Sequence, residues 1–269
     1  MPEPSAELLA GLPARWSTDL AVLQLFGSTI EAHDDHLVVR TPANPDFHWG
    51  NFILVTDDRR THLADHWVQV FAEAHPAADW LSIGLIAAPA DTSRWRALGL
   101  MVEVDEALST TTVPTGGKLA AGYRARRLEG ADWAELANSE IRENLASGLY
   151  DPQAHERFVR TRIQALSVLS AGDDLAYFGA FEGERLVSSL GIVVCGRTAR
   201  YQAVGTDPDH RRRGLAGHLL GRAAAWAAEQ GCTEWVIVTE AANPAGRLYR
   251  SVGFVPATDT ASVYLAPPG

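Results

Sequence analysis

The 269-residue chain carries 33 acidic against 23 basic side chains, a formal net charge of −10, and 46% hydrophobic residues. That length can bury a sizeable core in one or two domains, and the acidic balance speaks against nucleic acid as a general partner while mildly favouring cationic ligands. No apolar run approaches the roughly 18 to 20 residues of a membrane span, and Cys195 and Cys232 show neither metal nor redox spacing, so the expectation is a protein of a reducing cytoplasm with no metal and no membrane partner.

The opening MPEPSAELLAGLPARW lacks the basic start and apolar stretch of a signal peptide. Residues from about Glu7 to Leu25 read as helix, with Trp16, Leu20 and Leu23 spaced for one face. Ile30–Arg40 and Phe52–Val55 read as strands. Between them, the Pro/Asn/Gly-rich loop from Thr41 to Asn51 carries Phe47 and Trp49, rings that plug an adjacent core or line a ligand pocket. Thr61–Ala74 is an amphipathic helix with Leu63, Trp67, Val70, Phe71 and Ala74 on its apolar face, stopped by Pro76. His62 and His66 are four apart, but no third ligand has metal spacing, so they read as surface histidines. Asp79–Leu85 is a strand, Thr92–Leu98 a short helix, and Met101–Val113 a strand-like tail. Pro114–Lys118 is the most linker-like stretch, which puts a domain boundary between residues 117 and 118.

Beyond it, Gly122–Leu128 reads as a strand, Asp132–Leu145 as a helix capped by Asp132, and Asp151–Leu169 as a second helix. Leu175–Phe181 and Arg185–Cys195 form a hairpin around Glu182-Gly183-Glu184, and Thr198–Thr206 is a central strand. Asp207-Pro208-Asp209 is turn chemistry. Gly214 and Gly217 then open a helix with Leu215, Leu219, Ala223 and Trp226 at helical steps, which Gly231 is placed to cap. A strand at Glu234–Val238 follows, then a helix with Asn243 as N-cap and Pro244 at its first position. The last elements are a strand at about Ala261–Leu265 and a Pro-Pro-Gly tail.

The glycine-rich turn before Leu215 feeds a helix N-terminus, where unpaired amides and the helix dipole favour an anion. Arg211, Arg212 and Arg213 add guanidinium groups that suit phosphate. No Gly-Lys-Ser/Thr follows and no G-x-G-x-x-G is present, so neither a P-loop nor a dinucleotide fingerprint explains it. A pyrophosphate-bearing ligand of another kind is the direct inference.

Arg211–Ala216 resembles the Q/R-x-x-G-x-G/A signature of the GCN5-related N-acetyltransferases (GNAT), whose amides cradle the pyrophosphate of coenzyme A. Asn243, Leu248, Tyr249, Gly253 and Phe254 are similar to that family's N-x-x-A-x-x-L-Y-x-x-x-G-F block, with Gly246 where alanine is usual. The resemblance spans about Tyr123–Leu265. It implies an α/β fold with a mixed, mostly antiparallel central sheet flanked by helices. It also implies transfer of acetyl from acetyl-CoA to a primary amine of a small molecule or peptide, by direct attack in a ternary complex. The implied roles put Val204, Gly205 and Thr206 along the pantetheine arm and Arg211, Arg212, Arg213, Gly214, Leu215 and Ala216 around the pyrophosphate. Asn243 would bond the arm, and Tyr249 would protonate the departing thiolate. The Gly148–Pro152 junction would lie by the acceptor. The general base is open among Glu240, His210, Tyr201 and a water chain. Two other functions stay open, a non-catalytic acyl-CoA-binding regulator and a transferase drawing on aminoacyl-tRNA.

An internal echo extends this reading to the first half. Trp80 and Trp235 each begin an acidic-Trp-aliphatic run, and Trp95–Leu100 parallels Tyr249–Phe254 at nearly the same offset. The chain therefore reads as two tandem GNAT folds, residues 1–117 degenerate and 118–269 catalytic. In the first copy Asp57-Asp58-Arg59-Arg60 stands where the signature would be, and Trp95 stands for the tyrosine. The degenerate copy would pack against the other, shape the substrate cleft or replace a second subunit, leaving monomer and homodimer both open.

Overall fold

The computed structural model describes residues 3–265. The first half runs α1 (Ala6–Gly11), α2 (Ala14–Leu25), β1 (Thr29–Ala32), β2 (His36–Arg40), β3 (Phe52–Val55), α3 (Ala64–Ala74), β4 (Ser82–Leu85), α4 (Ser93–Ala97) and β5 (Leu100–Thr110). The second runs β6 (Tyr123–Arg127), α5 (Asp132–Ser147), α6 (Pro152–Leu169), β7 (Leu175–Glu182), β8 (Arg185–Cys195), β9 (Thr198–Thr206), α7 (Leu215–Glu229), β10 (Glu234–Glu240), α8 (Ala245–Ser251) and β11 (Val255–Leu265).

Several local readings shift, each for a physical reason. The opening helix breaks between α1 and α2, because Pro13 offers no N–H and holds Leu12 extended. The expected strand Ile30–Arg40 is a hairpin, closed where the His33 N–H donates to the His36 carbonyl. Asp132 is not the cap of α5 but its first residue. Its carboxylate accepts from the Glu129 N–H and the Arg126 guanidinium instead. Pro244 takes the cap position of α8, although Asn243 Oδ1 still accepts from the Ala245 N–H at 3.0 Å. The Pro-Pro-Gly tail lies outside the described residues.

All eleven strands form one mixed, mostly antiparallel sheet in the order β1-β2-β3-β4-β11-β5-β10-β9-β8-β7-β6. The halves repeat each other. In both, a parallel pair (β3–β4, β9–β10) brackets the helix α3 or α7, and a short helix α4 or α8 then leads to the last strand. Trp95 on α4 and Tyr249 on α8 are both buried, and each helix is followed by a glycine at positive φ, Gly99 and Gly253. The halves also trade strands: β11 pairs between β4 and β5, while β5 pairs between β11 and β10.

Helices cover both faces. Leu219, Leu220 and Ala223 of α7 pack with Tyr201, Trp235 and Phe254 on one face, and Val159, Ile163 and Leu166 of α6 pack with Tyr177 on the other. Helix α2 spans the junction, giving Val22 to the second half's core and Trp16, Leu20 and Leu23 to the first half's. The inter-half segment crosses α7 at close range. His218 Nδ1 lies 2.9 Å from the Gly117 carbonyl, and a Cβ on Gly221 would come within 2.2 Å of the Gly116 nitrogen.

Candidate active site

Strands β9 and β10 pair at only three positions, Thr198–Glu234, Ala199–Trp235 and Arg200–Val236, and then part. An irregularity in β9 accompanies the parting. Its register against β8 shifts between Ser189 and Gly191, and Ala203 takes φ +46. Gly205 and Thr206 stay tied to β8, with Ser188 Oγ donating to the Gly205 carbonyl at 2.8 Å, while Val204 lies in the irregular stretch, and none of the three has a ladder partner toward β10. Their backbone edge is open to an extended ligand, which could pair with it as an added strand does. The corresponding place in the first half is shut. There β3 and β4 pair through Val55–Leu85, the Ile86 N–H extends the ladder, and Trp16 seals it with Nε1 donating to the Leu85 carbonyl at 3.1 Å.

Just past the open edge, the backbone turns through two left-handed residues, Arg212 at φ +60 and Gly214 at φ +75, into α7. From Arg212 to Gly217, six consecutive N–H groups have no acceptor among the described residues. Leu215 anchors this turn in the core, while Gly214 and the arginines are exposed. The arginines differ in role. Arg211 Nε donates to the Thr206 carbonyl at 3.1 Å. Arg213 donates to the Tyr123 hydroxyl at 2.7 Å and the Asp209 carbonyl at 3.1 Å. Two of the three guanidinium groups thus hold the turn in shape, and Arg212 has no partner among the described residues. In the first half, Arg59 is spent on Asp57, whose carboxylate also accepts its own turn's N–H. A depression of about 670 Å³ beside it is lined by Asp58, His62, Asp91 and Arg94. Its carboxylates would repel a pyrophosphate.

Tyr249 is 4% exposed, and its hydroxyl makes no hydrogen bond among the described residues. Burial holds its phenol above the ordinary tyrosine range, partly opposed by Arg200, so it stays protonated at neutral pH. Tyr201 instead donates to the Leu220 carbonyl at 2.8 Å from within the core, and burial pushes its phenol far up. His210 Nδ1 lies 3.0 Å from the Tyr123 hydroxyl, within the scaffold of the turn. Glu240 ends β10 at the mouth of the opening; burial, then Glu103 and Asp105, hold its carboxyl above the ordinary range. Asn243 is exposed, at the start of the α8 segment. Gly246 leaves room for the Arg250–Glu106 ion pair, since a Cβ there would meet Arg250 at 2.8 Å.

Sequence reading misses Arg15, Glu103, Asp105 and Tyr264, which reach this region only because β5 lies between β10 and β11. The signal available was the alternation of Glu103 with Asp105, which puts both carboxylates on one face of a strand. No group of three or more His, Cys, Asp or Glu among the described residues could hold a metal ion, and no helix there is long and apolar enough to cross a membrane.

Residues 110–254, more than half of the chain, match the model of the Acetyltransferase (GNAT) family. No curated protein matches. Among solved structures, the chain is similar to a GCN5-related N-acetyltransferase from Kribbella flavida, at TM-score 0.65 and 19% identity over 94% of this chain and 95% of that one. A functionally unknown conserved protein from Staphylococcus epidermidis aligns at TM-score 0.69 and 14% identity, over 90% and 96%. A tandem GNAT protein from the clavulanic acid biosynthesis pathway aligns at TM-score 0.55 and 14% identity, over 98% and 94%. At these identities the likeness is one of fold.

Proposed function

This chain belongs to the acetyltransferase (GNAT) family, a family of acyltransferases, and from that premise we propose that it transfers acetyl from acetyl-CoA to a primary amine. The observation that carries this is the row of six unpaired amides, Arg212 to Gly217, at the mouth of the parted strands β9 and β10. A helix N-terminus with free N–H groups suits a pyrophosphate, and an unpaired strand edge suits the amide-bearing pantetheine arm. Arg212 would add charge-assisted bonds to the phosphates. The open edge of Val204, Gly205 and Thr206 would align the thioester, and Asn243 would bond the arm with its amide nitrogen.

The chemistry asks little more of the chain. Glu240, at the end of the opening, would take a proton from the ammonium so that the neutral amine attacks the thioester carbon. A carbon–nitrogen bond forms as the carbon–sulfur bond breaks, and β9 amides would meet the developing oxyanion. Tyr249 would give its proton to the thiolate, and the second proton, shed by the nitrogen on acylation, would pass through solvent to restore the phenol; among the described residues the Tyr249 hydroxyl has no hydrogen-bond partner. The products are an amide and free coenzyme A.

Calorimetric titration of acetyl-CoA into the wild type and a Gly214→Asp variant tests the reading. Gly214 has open space for a Cβ, and aspartate tolerates left-handed backbone better than most residues, so the variant should fold. Micromolar binding by the wild type, lost in the variant, is the expected result. A wild type that binds no acetyl-CoA overturns the proposal.

A further inference from the structure

The sheet face reached through the opening carries more negative charge than the fold neutralises. Register sets Glu240 of β10 beside Asp105 of β5, and Asp105 beside Thr260 of β11. Glu103 lies two residues along β5 on the same face, beside Ser262. Like charges directly opposite on neighbouring strands work against a sheet, so the arrangement calls for cations. Arg15 answers Asp105. No arginine, lysine or histidine among the described residues lies within ion-pair distance of Glu103 or Glu240.

Aromatic rings border these two carboxylates. Tyr264 donates to Glu103 Oε1 at 2.5 Å. Tyr150, at the α5–α6 junction, lies close enough to Glu103 for that charge, after burial, to raise its phenol. His48 meets Tyr150 edge-on at 6.3 Å and stacks on Trp80 at 4.6 Å. Of these rings Tyr150 is exposed and the others are half-buried, and carboxylates beside accessible π faces attract ammonium groups. A separate feature makes this a place a ligand reaches: the parted β9–β10 edge ends at Glu240, so an amine meeting the thioester sits beside this face.

We propose that the acceptor carries a second positive charge besides the amine that is acylated, as an α,ω-diamine does, with Glu103, Tyr150 and Tyr264 holding that second charge while Glu240 serves the reacting end. The proposal rests on the acetyl-CoA reading of the same cleft. Diagonal neighbours on adjacent strands are about 7–8 Å apart, which spaces the two charges by a few methylene groups. Glu103 belongs to β5, so the first half supplies the carboxylate for the second charge, and Tyr150 and Tyr264 come from the second half.

The test compares initial rates of thiol release with 1,4-diaminobutane and with butylamine, for the wild type and Glu103→Gln, alongside acetyl-CoA calorimetry on both proteins. Glutamine keeps the acceptor for Tyr264, so the fold is preserved. The expected result is a wild-type kcat/KM at least tenfold higher for the diamine, with that preference shrinking at least tenfold in Glu103→Gln, chiefly through KM. Raised salt should weaken the preference. Equal use of both amines, a preference unchanged by Glu103→Gln, or acetyl-CoA binding with neither amine acetylated would each overturn it. Loss of acetyl-CoA binding by the wild type would instead remove the reading beneath it.

Discussion

Arg15, on α2, reaches Asp105, on β5, at the row where β5 meets β11. The same guanidinium donates to Thr260 Oγ1 at 3.0 Å and Ser262 Oγ at 2.7 Å, and Ser262 in turn donates to Asp105 at 2.7 Å. On its other side lies Asp19, shared with Arg200 of β9. One buried network thus joins a first-half helix to strands of both halves.

Removing one partner of a buried ion pair strands the other charge. Arg15→Ala should cost about 3–5 kcal/mol, read as a lower denaturant midpoint. Replacing both partners, Arg15→Leu with Asp105→Leu, should recover much of that loss. An Arg15→Ala midpoint equal to wild type would show that the network contributes nothing.

Gly217 and Gly221 lie one turn apart on α7 but differ in what a methyl group would meet. At Gly217 the nearest atom is Leu248 Cδ1 at 3.6 Å, an ordinary contact; at Gly221 it is the Gly116 backbone. Gly217→Ala should be neutral or stabilising by up to about 1 kcal/mol, whereas Gly221→Ala should cost about 1–3 kcal/mol as the crossing segment is pushed off. Paired thermal melts would decide it, and equal effects would contradict the close crossing.

Tyr249→Phe keeps the ring and removes the proton. It should lower kcat by about 10²–10⁴ while leaving the acetyl-CoA Kd close to wild type. Because burial raises the wild-type phenol, no alkaline fall in rate from this group should appear at or below the ordinary tyrosine pKa of about 10. An alkaline limb well below that value, abolished in Tyr249→Phe, would contradict the raised phenol, and a Tyr249→Phe kcat equal to wild type would refute the acid role.

Glu240 gives a pH prediction with a definite sign. Its folded-state carboxyl titrates above the ordinary value, so the folded state holds that proton more tightly than the unfolded chain does. Its favourable contribution is therefore present in acid and lost as pH rises through the raised value. Glu240→Gln should melt above wild type at neutral pH, with the gap closing on acidification. A gap that widens in acid would reverse the sign.

The turn before α7 was legible in the sequence because its parts are neighbours: a turn, glycines and a helix start lie within a few residues, and Gly214 adopts the left-handed conformation such a turn needs. Tyr249 was legible from its place in a local block. The His33–Asp35 turn was not, since His, Asp and Asp announce no turn as strongly as Asn-Gly does. Least legible was the acidic face. Glu240 and Asp105 become neighbours through strand order, and no local pattern in either segment encodes which strand lies beside it.

The traded strands bear on how the chain is made. On the ribosome the first half emerges early, with Ile83 and Leu85 of β4 and Leu100 and Val102 of β5 awaiting Ala261 and Val263, which are translated last among the residues of that cluster. Until then β4 and β5 each keep an unpaired edge, a template for pairing with the wrong chain. Vectorial synthesis therefore cannot deliver the first half as a finished unit, and closing β11 between two waiting edges is a non-local, slow event. A nascent chain stalled before Val255 should be the species that chaperones hold and proteases find.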